Sequence, residues 1–324
     1  MYKVVLALAV AASVVVAAEA KLTLGKPLQI GTIAVVPIIS QSPLGDHKYI
    51  TLTEASRLGV VEIVEVPGRE TVNTLEVRNK SHLPLILFAG ELLLGGKQDR
   101  IVAKDTVVPP KTERPVPVFC VEHGRWSGRG MSFSPGGGFV PDQVRQTASQ
   151  TSSQSAVWVE VERANKAAGA TSSTGSIQAT LNDPKVKRAV EELAKKLRGA
   201  FVGSKNAVGV ICWLNGEILS ADIFANPALF TASRDMLLRS YCVDAQLIKE
   251  TKNTPVDMKE CREFLHDIMV ARRVLSERGT NGALYRIRDG KVVGYEFGRG
   301  GFSGGFGGGG AFGHGSYKQG GGGG

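Results

Sequence analysis

Between Ala89 and Trp126 the chain reads AGELLLGGKQDRIVAKDTVVPPKTERPVPVFCVEHGRW. Carboxylates, cations and an amide stand there among runs of Val, Leu and Pro. They are Glu91, Lys97, Gln98, Arg100, Glu122 and Arg125, with Trp126 closing the stretch. Two carboxylates and several cations gathered in one cleft suit acid–base chemistry or the capture of an anion. On that reading Glu91 and Glu122 are the catalytic carboxylates, Lys97, Arg100 and Arg125 hold an anionic group, and Gln98 orients it. Arg125 and Trp126 would stack on a flat or anionic ligand. An architectural reading uses the same residues. A buried carboxylate is costly unless paired, so Arg100 would serve to satisfy Glu91, and Trp126 would seal the edge of the core.

The elements that must position these groups are strands. Two glycines, Gly95-Gly96, between two strand patterns predict a two-residue hairpin turn. That turn opposes Leu93 to Gln98 and Glu91 to Arg100, with side chains about 5 Å apart, and so predicts a cross-strand ion pair. Along a strand over 115–123, Val116, Val118, Cys120 and Glu122 share one face while Phe119, Val121 and His123 share the other. Cys120 and His123 therefore point apart, which excludes a local Cys–His nucleophile pair. Cys120 reads as a core residue.

Residues 21–126 are β-rich, with strands expected at 28–39, 60–66, 71–78, 83–94, 100–108 and 115–123 and one short helix at 53–59. Residues 127–154 are rich in Gly and Ser and read as a surface loop. From 155 to 297 helices and hairpins mix. Ser155 would cap a helix to about Ala168, and Asp183-Pro184 starts one that ends at Gly199. Asn226-Pro227 opens a long helix to about Lys249, on which Asp244 stands among apolar neighbours, and a further helix covers 257–278. The pairs Asn215-Gly216 and Asp289-Gly290 mark hairpins over 208–224 and 283–297. The segment 298–324 holds 16 glycines in 27 residues and reads as a disordered tail. The expected class is α+β, a β-rich N-terminal half packed on a mixed helix and hairpin C-terminal half, with 21–297 acting as one unit.

Four segments, GELLLGGKQDR, VPVFCVEHGRW, QSAVWVEV and LLRSYCVDA, carry a resemblance. In that order they resemble the largely uncharacterised family of the ADP-ribosylglycohydrolase- and rhodanese-phosphatase-associated protein domain, over roughly Pro27 to Ala245. The family pattern falls on Gly90, Glu91, Leu93, Gly95, Gly96, Lys97, Gln98, Asp99 and Arg100. It continues on Cys120, Val121, Glu122, Gly124, Arg125 and Trp126, then on Gln154, Val157, Trp158 and Glu160. The resemblance implies a link to ADP-ribose or nucleotide-derived ligands. The helix after 257 and the glycine tail are expected to lie beyond it.

Before all this stand Lys3, an apolar run from Val4 to Ala18 and the small-x-small sequence Ala18-Glu19-Ala20. Those three parts make a secretory signal peptide over 1–20, and the mature chain is expected to be exported, with no later span. Its net charge of +9 suits an anionic partner, either a small nucleotide- or sugar-phosphate-like ligand or a cell-envelope polymer. No run of five or six like charges appears, so nucleic acid is not the expected partner. The alternative to a ligand site is a non-catalytic envelope scaffold. Cys120, Cys212, Cys242 and Cys261 fit no zinc spacing, and a Cys242–Cys261 disulfide is one option for an exported chain. No HExxH, CxxC or phosphate-loop motif is present, and no cofactor or metal is identifiable.

Overall fold

The computed structural model describes residues 22–42, 48–66, 73–125, 130–151, 153–249, 252–271, 273–279, 282–289, 292–298 and 310–317. The chain opens with β1 (Leu22–Leu24), β2 (Leu28–Ile30) and β3 (Ile33–Ser40). Next come β4 (Ile50–Thr51) and α1 (Leu52–Arg57), where the Thr51 hydroxyl caps the helix by accepting from Glu54 N–H. Then follow β5 (Val61–Glu65), β6 (Thr74–Asn79), β7 (Leu85–Leu87), β8 (Glu91–Gly95), β9 (Arg100–Val102), β10 (Thr106–Val108), β11 (Thr112–Cys120) and β12 (Ser132–Phe139). The helical part is α2 (Asp142–Thr151), α3 (Gln154–Ala168), α4 (Gln178–Leu181) and α5 (Pro184–Leu197). The hairpin β13 (Ala207–Leu214) and β14 (Glu217–Phe224) leads to α6 (Pro227–Leu247) and α7 (Met258–Val270). The last elements are β15 (Arg273–Gly279), β16 (Gly282–Asp289), β17 (Val292–Gly298) and β18 (Gly310–Tyr317).

The strands make three sheets. A closed barrel runs β11-β6-β5-β12-β8-β9, a small sheet runs β10-β7-β4, and a large sheet runs β1-β3-β13-β14-β18-β17-β16-β15 with β2 on β3. The class is α+β, as expected, and the two halves interlock: β3, from the start of the chain, pairs along its length with β13. Barrel strands alternate, so Leu75, Val77, Leu93, Val102, Val116 and Val118 fill the interior. One face of the large sheet packs on α2, α3, α5 and α6. The other packs on α7 through Cys261, Phe264, Leu265 and Ile268.

Several boundaries move. The expected strands 83–94 and 100–108 each divide in two. The first breaks at Phe88–Gly90, where the Glu91 carboxylate accepts from Phe88 N–H at 2.8 Å. Most of the expected loop 127–154 is regular structure. β12 is pinned between β5 and β8, and α2 buries Val144 and Ala148 on one side. Its polarity hid it, because Asp142, Arg145 and Gln146 are also buried, with Asp142 in contact with the other two. The cap of α3 is Ser153 rather than Ser155. The helix expected over 257–278 stops at Val270, and the next residues pair as β15 with β16. In the glycine tail, β18 pairs with β14 and β17. A ladder is made by backbone groups, so a glycine-rich strand forms where neighbours hold both edges. The hairpin at Asn215-Gly216 is as expected, with both residues at positive φ, and β16 and β17 pair up to Asp289–Val292.

Candidate functional site

β8 and β9 pair through Leu92–Ile101 and Leu93–Arg100. That is two residues away from the register of a Gly95-Gly96 turn, so Glu91 does not oppose Arg100 and the expected ion pair is absent. The wider loop is held by side chains reaching inward. Asp99 Oδ1 accepts from Gly95 N–H at 3.1 Å, and Glu65 Oε1 accepts from Lys97 N–H at 2.8 Å.

Arg125 closes this loop onto the end of β11. Its Nε donates to Glu122 Oε2 at 2.7 Å, Nη1 to the Gly96 carbonyl at 2.8 Å, and Nη2 to Asp99 Oδ1 at 3.1 Å. Glu122 Oε2 also accepts from Asp99 N–H at 3.2 Å, and its Oε1 accepts from the Thr174 hydroxyl at 2.8 Å. Gln98 donates to the His123 carbonyl at 3.1 Å. Gln154, from α3, both donates to Cys120 O and accepts from Cys120 N–H at 2.8 Å, continuing the ladder where β11 ends. Glu122, Gln98 and Arg125 do come together, as the sequence suggested. They meet as a knot in which guanidinium and carboxylates engage one another, and Asp99, Thr174 and Gln154 were missed from it. Asp99 was visible as the acid of GGKQDR.

Of the other expected site residues, Glu91 lies apart from the knot, whereas Arg100 adjoins it through Gln98 and Asp99. Glu91 is 3% exposed, and burial pushes its carboxyl up to about 8, with Asp105 adding to the rise and the Phe88 N–H opposing it. Arg100 is buried beside its pairing partner Cys120 and donates to the Gln98 carbonyl at 2.6 Å. Burial lowers its pKa, while Cys120, Glu65 and Asp99 act the other way. Burial raises the Cys120 thiol, which fits a core cysteine. Lys97 is exposed. Trp126 lies outside the described residues. His123 meets Trp158 edge-on at 4.4 Å.

A second buried polar cluster sits between the large sheet and the helices. Arg145 Nη2 donates to both Asp222 oxygens, at 2.8 and 2.9 Å, and lies 3.1 Å from Asp142 Oδ1. The Tyr241 hydroxyl also donates to Asp222. Asp244 accepts from Asp142 N–H at 2.6 Å, and burial pushes its carboxyl up to about 8, Asp142 adding to the rise. Asp244 is thus a helix-to-helix tie. Asp222 could have been noticed as a charge inside an apolar strand. Among the described residues no group of three or more His, Cys, Asp or Glu side chains is placed to hold a metal ion.

One open feature is a cleft of about 280 Å³ between β12 and α4, α5 and α6. Its floor includes Leu92, Phe139 and Val243, and its rim carries Lys187, Glu191 and Arg239. Arg239 pairs with Glu191 at 3.0 Å. The glycines of SPGGGF form the opposite wall. Pairing of β12 with β8 is regular to Pro135 and resumes at Phe139, so Gly136–Gly138 bulge from the ladder. Gly136 lets the strand press on Leu92, whose Cγ would lie 2.6 Å from an added Cβ. Gly137 stands at φ +78. Leu92 lines this cleft, while Glu91 and Leu93 occupy the alternate positions, so the expected catalytic carboxylate lies behind the floor. A wider groove of about 750 Å³ runs past His123, Trp158 and Lys166.

A barrel interlocked with a helix-backed sheet, its GGKQDR and VEHGR segments tied in one ionic knot, defines an α+β protein with three apolar cores. Residues 21–301 match the model of the ARG and Rhodanese-Phosphatase-superfamily-associated Protein domain, and the chain belongs to that family. The match is wider than the resemblance over Pro27–Ala245 and takes in α7 and β15 to β17. No match was found among curated proteins or among solved structures.

Proposed function

We propose that this is an exported binding protein for a small anionic, nucleotide- or sugar-phosphate-like ligand, taken up in the cleft of Lys187 and Arg239. The supporting observation is the composition of that cleft: two cations over an apolar floor, with Glu191 as the one carboxylate on the rim. Apolar walls with a few polar anchors are the usual make-up of a small-molecule site. The knot is a poorer host, because Arg125 already meets two carboxylates and a carbonyl there. Export rests on Lys3, the apolar run to Ala18 and the Ala18-Glu19-Ala20 sequence.

Calorimetric titration of a nucleotide and sugar-phosphate panel tests the ligand site. Arg239→Ala with Lys187→Ala is expected to weaken binding at least tenfold, about 1.4 kcal/mol. Gly138→Leu should occlude the cleft with little harm to the fold, since an added Cβ at Gly138 meets nothing within 4 Å. Binding that ignores all three changes would refute the assignment. Sequencing the N-terminus of the secreted form tests export, and the mature chain should begin at Lys21.

A further inference from the structure

We infer that the anion held at Lys187 and Arg239 is the end of a longer chain of phosphates, whose body lies along the outer face of α5. This rests on the reading of the cleft given above and names its ligand class. α5 buries Val186, Val190, Ala194 and Leu197 against the core. Lys187 and Glu191 stand to one side of that stripe and line the cleft. Further round, at about 100° per residue, Lys185, Arg188, Lys195 and Lys196 fall on one outward arc. All four are exposed, and Glu192 is the carboxylate among them.

At about 1.5 Å of rise per residue the arc runs roughly 16 Å from Lys185 to Lys196. A single small anion in the cleft leaves most of that field unused. A linear polyanion uses it, since each phosphate neutralised by Lys or Arg releases condensed counterions. Arg188 and Lys195, three residues before and four after the rim residue Glu191, bring the arc beside the cleft, so one chain can seat its end at Arg239 and continue over α5. Single-stranded nucleic acid fits less well. Base recognition without sequence readout depends on aromatic platforms. Among the described residues the exposed large apolar side chains are Leu58, Leu83, Met131, Val159, Val202 and Val270, with no aromatic ring. The class that fits is a phosphate polymer without bases.

The test is calorimetric titration of the mature full-length chain with orthophosphate, tripolyphosphate, long-chain inorganic polyphosphate and an oligothymidylate of equal charge, at low and raised salt. Affinity should rise at least tenfold from tripolyphosphate to the long chain at low salt. Replacing Lys185, Arg188, Lys195 and Lys196 together by Gln should remove that gain and flatten the log–log salt slope by about 3, at roughly 0.7 per phosphate contact. Orthophosphate binding should survive in that variant and be lost in Lys187→Ala/Arg239→Ala. Equal affinity for tripolyphosphate and the long chain overturns the inference and leaves the cleft reading intact. Tighter binding of oligothymidylate than of polyphosphate also overturns it. Length-dependent binding that is indifferent to Arg239 and Lys187, with no orthophosphate binding, overturns the cleft reading and with it the seating of the chain end.

Discussion

Glu91 and Arg125 show two ways of keeping a charge inside a protein. Arg125 is matched, since its donors reach two carboxylates that are also held by N–H and O–H groups. Glu91 is mostly neutral at pH 7, because its carboxyl is buried and titrates near 8. The folded state thus binds this proton more tightly than the unfolded chain, whose value is the ordinary 4.5. The stabilisation is complete below pH 4.5 and is lost as pH rises through about 8, with Asp244 acting in the same direction. Glu91→Gln keeps the hydrogen-bonding shape without a proton to lose. Urea midpoints between pH 5 and pH 8 should fall less for this variant than for the wild type. Parallel curves would show that Glu91 does not titrate across that window.

Register is where the sequence was least legible. A Gly-Gly pair between strands is a strong hairpin signal by local rules. Here the loop runs on to Asp99, because Glu65, Asp99 and Arg125 supply its hydrogen bonds. Glu65 is far away in sequence, so no local pattern could anticipate the shift. Composition misled over β12 and α2 for a related reason, as β12 is held by pairing with β5 and β8 and the buried polar residues of α2 meet Asp222 of β14 and Asp244 of α6. By contrast, the apolar stripe of α5, the Asn215-Gly216 turn and the meeting of Glu122 with Arg125 follow from short-range spacing and were readable. Gly90 shows how tight the α2–β8 contact is. It stands at φ +83, and an added Cβ would lie 2.1 Å from Arg145 Cγ. Gly90→Ala is expected to cost about 2–4 kcal/mol, through backbone strain and displacement of a buried guanidinium from Asp222. Chemical denaturation measures this, and a change below about 0.5 kcal/mol would mean that Arg145 can move freely.

At the scale of the whole molecule, the large sheet separates two cores, and this decides the cysteine chemistry. Cys242 packs with Cys212 in the core under α2, α3, α5 and α6, whereas Cys261 lies in the core under α7. The sheet stands between Cys242 and Cys261, so the disulfide considered from their neighbouring helices is not formed, and all four cysteines are free and buried. Burial also raises the Cys212, Cys242 and Cys261 thiols, keeping them protonated and slow to react. The proposed export would bring the chain into an oxidising compartment, where these cores would shield its thiols by inaccessibility. Native protein recovered from that compartment should show almost no reaction with a thiol reagent, and four reactive thiols after denaturation without reductant. Two thiols after denaturation would mean that the sheet opens during folding long enough for a pair to oxidise.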